Sequence, residues 1–132
     1  MRQTDRSSYN QGIPSPLETQ VSYRLGVPLV YVKGELDHDS VEKLRPVVEE
    51  ELAEQPTVFL LDLSDLTYMD SGGLSLMFDL VRRFESPRWI GAVGTRPAVA
   101  RLLEMTGLAD VPTFAMLSDL EEAAEELAKR AE

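Results

Sequence analysis

Val58-Phe59-Leu60-Leu61-Asp62-Leu63 decides how this chain folds. A nearly continuous apolar run of this kind reads as a central strand covered on both faces. Asp70-Ser71-Gly72-Gly73 follows it after a loop. Leu74, Met77, Phe78, Val81 and Phe84 then recur at helical spacing. Upstream, Val41, Leu44, Val47, Val48 and Leu52 make another helical stripe, with Pro46 inside it. A proline there predicts a kink, because it removes one backbone donor and crowds the preceding turn. Asp39 followed by Glu42 has the spacing of a capping box. Further upstream, Leu29 to Val32 reads as a strand. Thr19 to Leu25 alternates as a half-buried strand does. The short link Gly26-Val27-Pro28 between them predicts an antiparallel hairpin.

Downstream, Trp89 to Val93 reads as a buried strand and Trp89 as core. Pro97, Val99, Ala100, Leu102 and Leu103 predict a short helix closed by Gly107. Thr113 to Leu117 predicts a short edge strand. Ser118 and Glu121 have capping-box spacing before the stripe Leu120, Ala123, Ala124, Leu127 and Ala131. The order is therefore β-β-α-β-α-β-α-β-α. Strand–helix–strand units demand parallel neighbours and right-handed crossovers. The expected fold is α/β, with a mixed β-sheet of about five strands and four helices. Residues 1–16 are polar and read as a flexible N-terminal tail; 17–132 read as one domain.

With 132 residues the chain can bury roughly two thirds of its unfolded surface. Its 43% apolar and 27% charged residues mark a globular protein. The 23 acidic and 13 basic side chains leave a net charge of −10. That balance disfavours direct nucleic-acid binding, which needs clustered phosphate-neutralising cations, and it disfavours an anionic membrane. Cysteine is absent, so disulfides, thiolate metal sites and cysteine nucleophiles are excluded. No apolar run approaches the ~20 residues of a membrane span, and the N-terminus lacks the apolar stretch of a signal peptide. The expectation is a soluble cytoplasmic protein. His38 is the single histidine, which limits histidine-based catalysis and metal binding.

In an open α/β sheet, function collects in the loops after the carboxyl ends of strands. Three such loops are expected: Glu35 to Ser40, Ser64 to Gly73, and Gly94-Thr95-Arg96-Pro97. Asp70-Ser71-Gly72-Gly73 admits four readings. Spacing alone favours a plain helix start, with Asp or Ser as cap. Asp-Ser-Gly-Gly is also the core of a trypsin-like nucleophile motif. The strand–helix context and the acidic neighbours of His38 argue against hydrolysis, and no Gly-x-Ser-x-Gly elbow is present. A receiver domain would place its phosphoacceptor at Asp62. Its acidic pair would then follow the wrong strand, at Asp37 and Asp39, and the late loop has no lysine. The fourth reading is a phosphorylation switch at Ser71, where a helix N-terminus favours added negative charge.

Gly34-Glu35-Leu36-Asp37, the strand Phe59 to Leu63, and Met69-Asp70-Ser71-Gly72-Gly73-Leu74 together resemble a STAS domain, the sulphate transporter and anti-sigma factor antagonist family. The stretches Gly34 to Ser40 and Tyr68 to Leu74 are especially similar to single-domain bacterial anti-anti-sigma factors. Pro97-Ala98-Val99-Ala100-Arg101-Leu102 and Met105-Thr106-Gly107-Leu108 extend the match, which runs from about Val21 to Leu127. The resemblance implies a binding module and not an enzyme. An anti-sigma factor that is itself a serine kinase would be its partner, and a serine phosphatase would reverse the modification. The kinase would bring the nucleotide, so no cofactor and no metal are implied for this chain. The implied phosphoacceptor is Ser71. The implied partner surface comprises Asp37, His38, Met69, Asp70, Gly72, Gly73, Leu74 and Thr95. Many members carry Ser or Thr where this chain has Gly72, which leaves Ser71 as the sole hydroxyl of the motif. Leu76, Leu80 and Arg83 form a second row on the same helix, open to a partner or to a covering helix. Asp119, Glu121, Glu122, Glu125 and Glu126 read as a solvated face.

Overall fold

The computed structural model describes residues 17–131, so the expected tail lies outside the described residues. β1 (Glu18–Arg24) and β2 (Val27–Leu36) open the fold, followed by α1 (Val41–Leu52) and β3 (Val58–Met69). Then come α2 (Ser71–Val81), β4 (Trp89–Val93), α3 (Pro97–Met105), β5 (Phe114–Leu117) and α4 (Leu120–Arg130). The strands stand in sequence order across one sheet, and only β1 is antiparallel to its neighbour. The expected mixed five-stranded sheet and four helices are present.

That strand order dictates the layers. Right-handed crossovers that always step in the same direction deliver their helices to the same face. Side chains of α1, α2 and α3, among them Leu44, Leu80 and Leu103, accordingly share one core with Phe59, Leu61 and Ile90. α4 covers the opposite face, where Ala123 packs with Leu60, Trp89 and Leu117. β3 runs through the middle, so Val58 to Leu61 are all buried and show no alternation. Trp89 is core, as expected.

Several local expectations are corrected. The hairpin turn is Leu25-Gly26, with φ of 58° and 79°, and Val27-Pro28 already belong to β2. Two positive φ angles in a two-residue connection match the twist of the flanking strands. β1 is an edge strand, and its Val21 and Tyr23 are exposed rather than half-buried. As expected, α1 continues through Pro46, which lies on the exposed side, where water can serve the carbonyl that loses its donor. α4 is capped by Asp119, which accepts from the Glu122 backbone N–H, and not by Ser118. The Glu122 side chain accepts from the Ser118 N–H instead, so the capping pair sits one residue later than expected.

The largest correction concerns β2 and β3. The first residues of two expected loops, Glu35 and Leu36 of Glu35 to Ser40 and Ser64 to Met69 of Ser64 to Gly73, are strand and pair with each other in parallel. From Tyr31 to Lys33 the partner moves from Asp62 to Asp65, and from Gly34 to Glu35 it moves from Leu66 to Tyr68. Each irregularity places one extra residue on β3, as in a β-bulge. Leu63, Leu66 and Met69 therefore all turn inward although they lie three residues apart. A strand that breaks period two in this way does not read as a strand from its pattern.

The bulged segment gives a direct test. Leu66→Ala should destabilise the domain by about 2–5 kcal/mol, as a buried truncation does. Tyr68→Ala, on the exposed side, should stay within about 0.5 kcal/mol. Urea unfolding followed by circular dichroism reads both, and equal effects would contradict this register.

Candidate functional site

β4 ends at Val93 opposite Asp62, while β3 continues to Met69 with only β2 beside it. The two strands finish together at Leu36 and Met69. The loop after β2 and the start of α2 are therefore delivered side by side. Main-chain pairing closes the end, where the Asp70 N–H donates to the Leu36 carbonyl at 3.1 Å.

Asp37 organises the first loop. Its Oδ1 accepts from the N–H groups of Asp39 (3.0 Å) and Ser40 (2.7 Å). The Ser40 hydroxyl accepts from the Asp37 N–H and donates to the Glu35 carbonyl. The Ser40 N–H chiefly holds the Asp37 carboxyl below its usual pKa against the opposing effect of burial. Ser40 occupies the cap position of α1, and Asp39 makes no capping bond, so the expected Asp39–Glu42 box is not formed. Sequence spacing missed Ser40, because its partner Glu35 lies on the strand side of the turn.

Asp70 organises the second loop and joins it to the first. Its Oδ1 accepts from the N–H groups of Gly72 (2.8 Å) and Gly73 (3.3 Å), which caps α2. Its Oδ2 accepts from the His38 N–H at 3.3 Å and lies 3.0 Å from His38 Nδ1. One carboxylate thus spans both loops. Burial works to raise its pKa, but the three backbone N–H donors and the charge of His38 outweigh this and lower it.

The two glycines are required by contact. A Cβ on Gly72 would lie 2.6 Å from the His38 Cα, and one on Gly73 would lie 2.8 Å from the Leu36 carbonyl oxygen. The first turn of α2 therefore lies directly against the β2–α1 connection. Ser71, the first residue of α2, is exposed, and its hydroxyl has no protein partner among the described residues.

The structure brings Asp37, His38, Asp70, Ser71, Gly72 and Gly73 together. Met69 is a buried core residue beneath Gly73, and Leu74 is half-buried. Thr95 lines a different space, a cavity of about 340 Å³ with Gly94, Met116 and Ser118 at the ends of β4 and β5. Its Oγ1 is buried without a partner. Leu76 and Leu80 are core, covered by α1, and Arg83 pairs with Glu49 of that helix. Of that second row, Leu76 and Leu80 are therefore packed and not free for a partner, while Arg83 is exposed beyond the end of α2. On α4, Glu126 is half-buried and paired with Arg130, unlike its solvated neighbours. Asp62 accepts from both the N–H and the hydroxyl of Ser64, which occupies it structurally. Tyr31, Asp65 and Arg96 form a network that sequence distance concealed; Asp65 pushes the Tyr31 hydroxyl up to about 12.

The STAS domain model matches residues 18–123. The chain belongs to the STAS domain family. Its STAS domain is 32% identical over 94 residues to the anti-sigma F factor antagonist of Paenibacillus polymyxa, which covers 70% of this chain and 80% of that protein. It is 31% identical over 85 residues to an anti-sigma-B factor antagonist of Listeria monocytogenes, covering 62% of this chain and 73% of that one. An anti-sigma factor antagonist from Mycobacterium paratuberculosis superposes with a TM-score of 0.76 at 25% identity, covering 91% of this chain and all of that one. Among the described residues, no helix of this STAS domain is long and apolar enough to cross a membrane.

Two tests address the junction. Gly72→Ala should cost about 1–3 kcal/mol, because the new methyl meets backbone that must shift. Amide chemical-shift changes should then spread from α2 to residues 37–40, and shifts confined to α2 would contradict the contact. Asp70 has its folded pKa lowered, so its stabilisation is complete above the unfolded value near ~4. It is lost as pH falls through the lower folded value. Asp70→Asn should therefore flatten the stability profile below about pH 4, as read by thermal unfolding at each pH.

Proposed function

We propose that this STAS domain is an anti-sigma factor antagonist controlled by phosphorylation of Ser71. The observation that carries the reading is the unpartnered, exposed Ser71 hydroxyl at the first residue of α2, beside the loop holding Asp37 and His38. The relatives named as anti-sigma factor antagonists support it. In the unphosphorylated state the surface formed by Asp37, His38, Asp70 and the first turn of α2 binds an anti-sigma factor, and the sigma factor is released. The anti-sigma factor is a serine kinase that transfers the γ-phosphoryl group of its ATP to Ser71 Oγ, leaving ADP. A serine phosphatase hydrolyses the ester and restores the binding form. All of this takes place in the cytoplasm.

The geometry explains why such a group would act as an off-switch. A helix N-terminus ordinarily welcomes a phosphate through its free N–H groups. Here Asp70 already takes the N–H groups of Gly72 and Gly73. The added charge of about −1.5 to −2 meets a carboxylate that has already engaged two of the helix-start donors. It is left facing outward, into the partner. Asp37 and Asp39 stand on the same side and add to the negative field. Met69 supports this surface from below, and Leu74 lies at its margin. Thr95 lines the cavity at the ends of β4 and β5.

Incubation with the cognate kinase and ATP, followed by peptide mass mapping, should place one phosphate on Ser71. Ser71→Ala should bind the anti-sigma factor as the parent does, and Ser71→Asp should bind at least about tenfold more weakly, or roughly 1.4 kcal/mol. Equal binding by both variants, measured by calorimetry, would refute the switch.

A further inference from the structure

We propose that the opposite end of the sheet carries a binding site for a small phosphate-bearing anion. A cavity of about 340 Å³ opens there between the segment before β4, the segment before β5 and the last turn of α4. Arg88, Lys129, Arg130, Ser86 and Thr113 line it. That volume lies at the lower end of the range for small-molecule pockets, roughly 300–1,000 Å³. In a chain with 13 basic residues and a net charge of −10, three cations on one cavity wall are a local reversal of sign.

Two of these cations are held in place by their surroundings. The Arg88 guanidinium stacks on the Phe84 ring at 4.7 Å. Its Nε donates to the Pro56 carbonyl at 3.1 Å and its Nη1 to the Arg83 carbonyl at 3.3 Å. The Arg130 guanidinium stacks on the Trp89 ring at 4.8 Å. Its Nε donates to Glu126 at 2.6 Å and its Nη1 to the Pro112 carbonyl at 3.0 Å. In both, Nη2 has no acceptor among the described residues. Glu126 offsets Arg130, but Arg88 and Lys129 have no carboxylate within ion-pair distance among the described residues. Among the described residues, two of the three cations are therefore left without an ion-pair partner.

A structural role accounts for part of this. Lys129 and Arg130 lie in the last turn of α4, where cations oppose the helix dipole. Arg88 lies outside any helix, so that explanation does not reach it. A guanidinium fixed by stacking and carbonyl contacts, with one amino group uncommitted, suits the oxygens of a phosphate ester. The cavity leaves room for a small group attached to the phosphate. Ser86 and Thr113 bring hydroxyl-bearing residues to the wall. The site is independent of Ser71, since β3 begins beside β4 at this end and finishes at Met69, on the order of 35 Å away at ~3.3 Å per residue.

The test uses inorganic phosphate as the probe and Trp89, the single tryptophan, as the reporter, because Arg130 lies on its ring. Phosphate titrated at constant ionic strength should change Trp89 fluorescence saturably, with half-saturation in the millimolar range or below. The amide shifts that move should cluster at residues 86–89, 112–114 and 129–130. Arg88→Gln and the exposed Lys129→Gln should each weaken binding at least fivefold. Lys129→Gln leaves the stacking on Phe84 and Trp89 untouched, and its parental circular dichroism spectrum and melting temperature should show that lost binding does not come from misfolding. Equal changes with chloride, no saturation, or parental affinity in both variants would overturn the site.

Discussion

One carboxylate holds two loops of this domain in register. Asp70 accepts backbone N–H groups from Gly72, Gly73 and His38, which belong to segments separated by the whole of α1 and β3. The contact is possible because β2 and β3 stay paired beyond the rest of the sheet and finish level with each other. It is tight because Gly72 and Gly73 leave no room between the helix start and the connection. Backbone donors at a helix start have no partner within the helix, and here one side chain serves them and a donor of the neighbouring loop as well. The surface around Ser71 is therefore a single unit, and a change on either loop is felt on the other.

The legible parts of the sequence were those with a strong period or a strong local signal. Val58 to Leu61 announced a strand buried on both faces, and Asp70 announced a helix cap. The hidden parts had physical reasons to hide. Two bulges break the alternation of β3, so Leu63, Leu66 and Met69 point inward at a spacing of three, which matches no strand pattern. The loop after β2 has acids at 37 and 39, and spacing favoured the wrong one. Asp37 wins because its carboxylate reaches forward to the N–H groups of Asp39 and Ser40. On α2 the apolar residues run almost all round the helix, so the sequence could not say which row was inner. α1 decides this by covering Leu76 and Leu80. Within the site, Asp70, Ser71 and the two glycines were readable from a four-residue motif. The meeting of that motif with His38 was not, since it depends on two strands ending together.

Net charge tells little about how this surface meets a partner. The −10 of the whole chain conceals two ends of opposite character. At the carboxyl end of β3, Asp37, Asp39 and Asp70 surround a single histidine. At its amino end, Arg88, Lys129 and Arg130 gather round one cavity. Exposed charges more than a Debye length apart, about 8 Å in physiological salt, barely sense one another. Each end therefore acts through its own local field.

This locality bears on how one small group could switch a complex. Adding about −2 to a chain already at −10 changes the global field little. The same charge beside Asp70 falls where the Gly72 and Gly73 N–H groups are already engaged and where the carboxylates of Asp37 and Asp70 are fixed by hydrogen bonds. Such a surface cannot relax to absorb the charge. The cost is transferred to the interface, where the partner must bury it. Rigidity at this junction, set by Asp70 and the two glycines, thus converts a local modification into a change of affinity and leaves the fold beneath it intact.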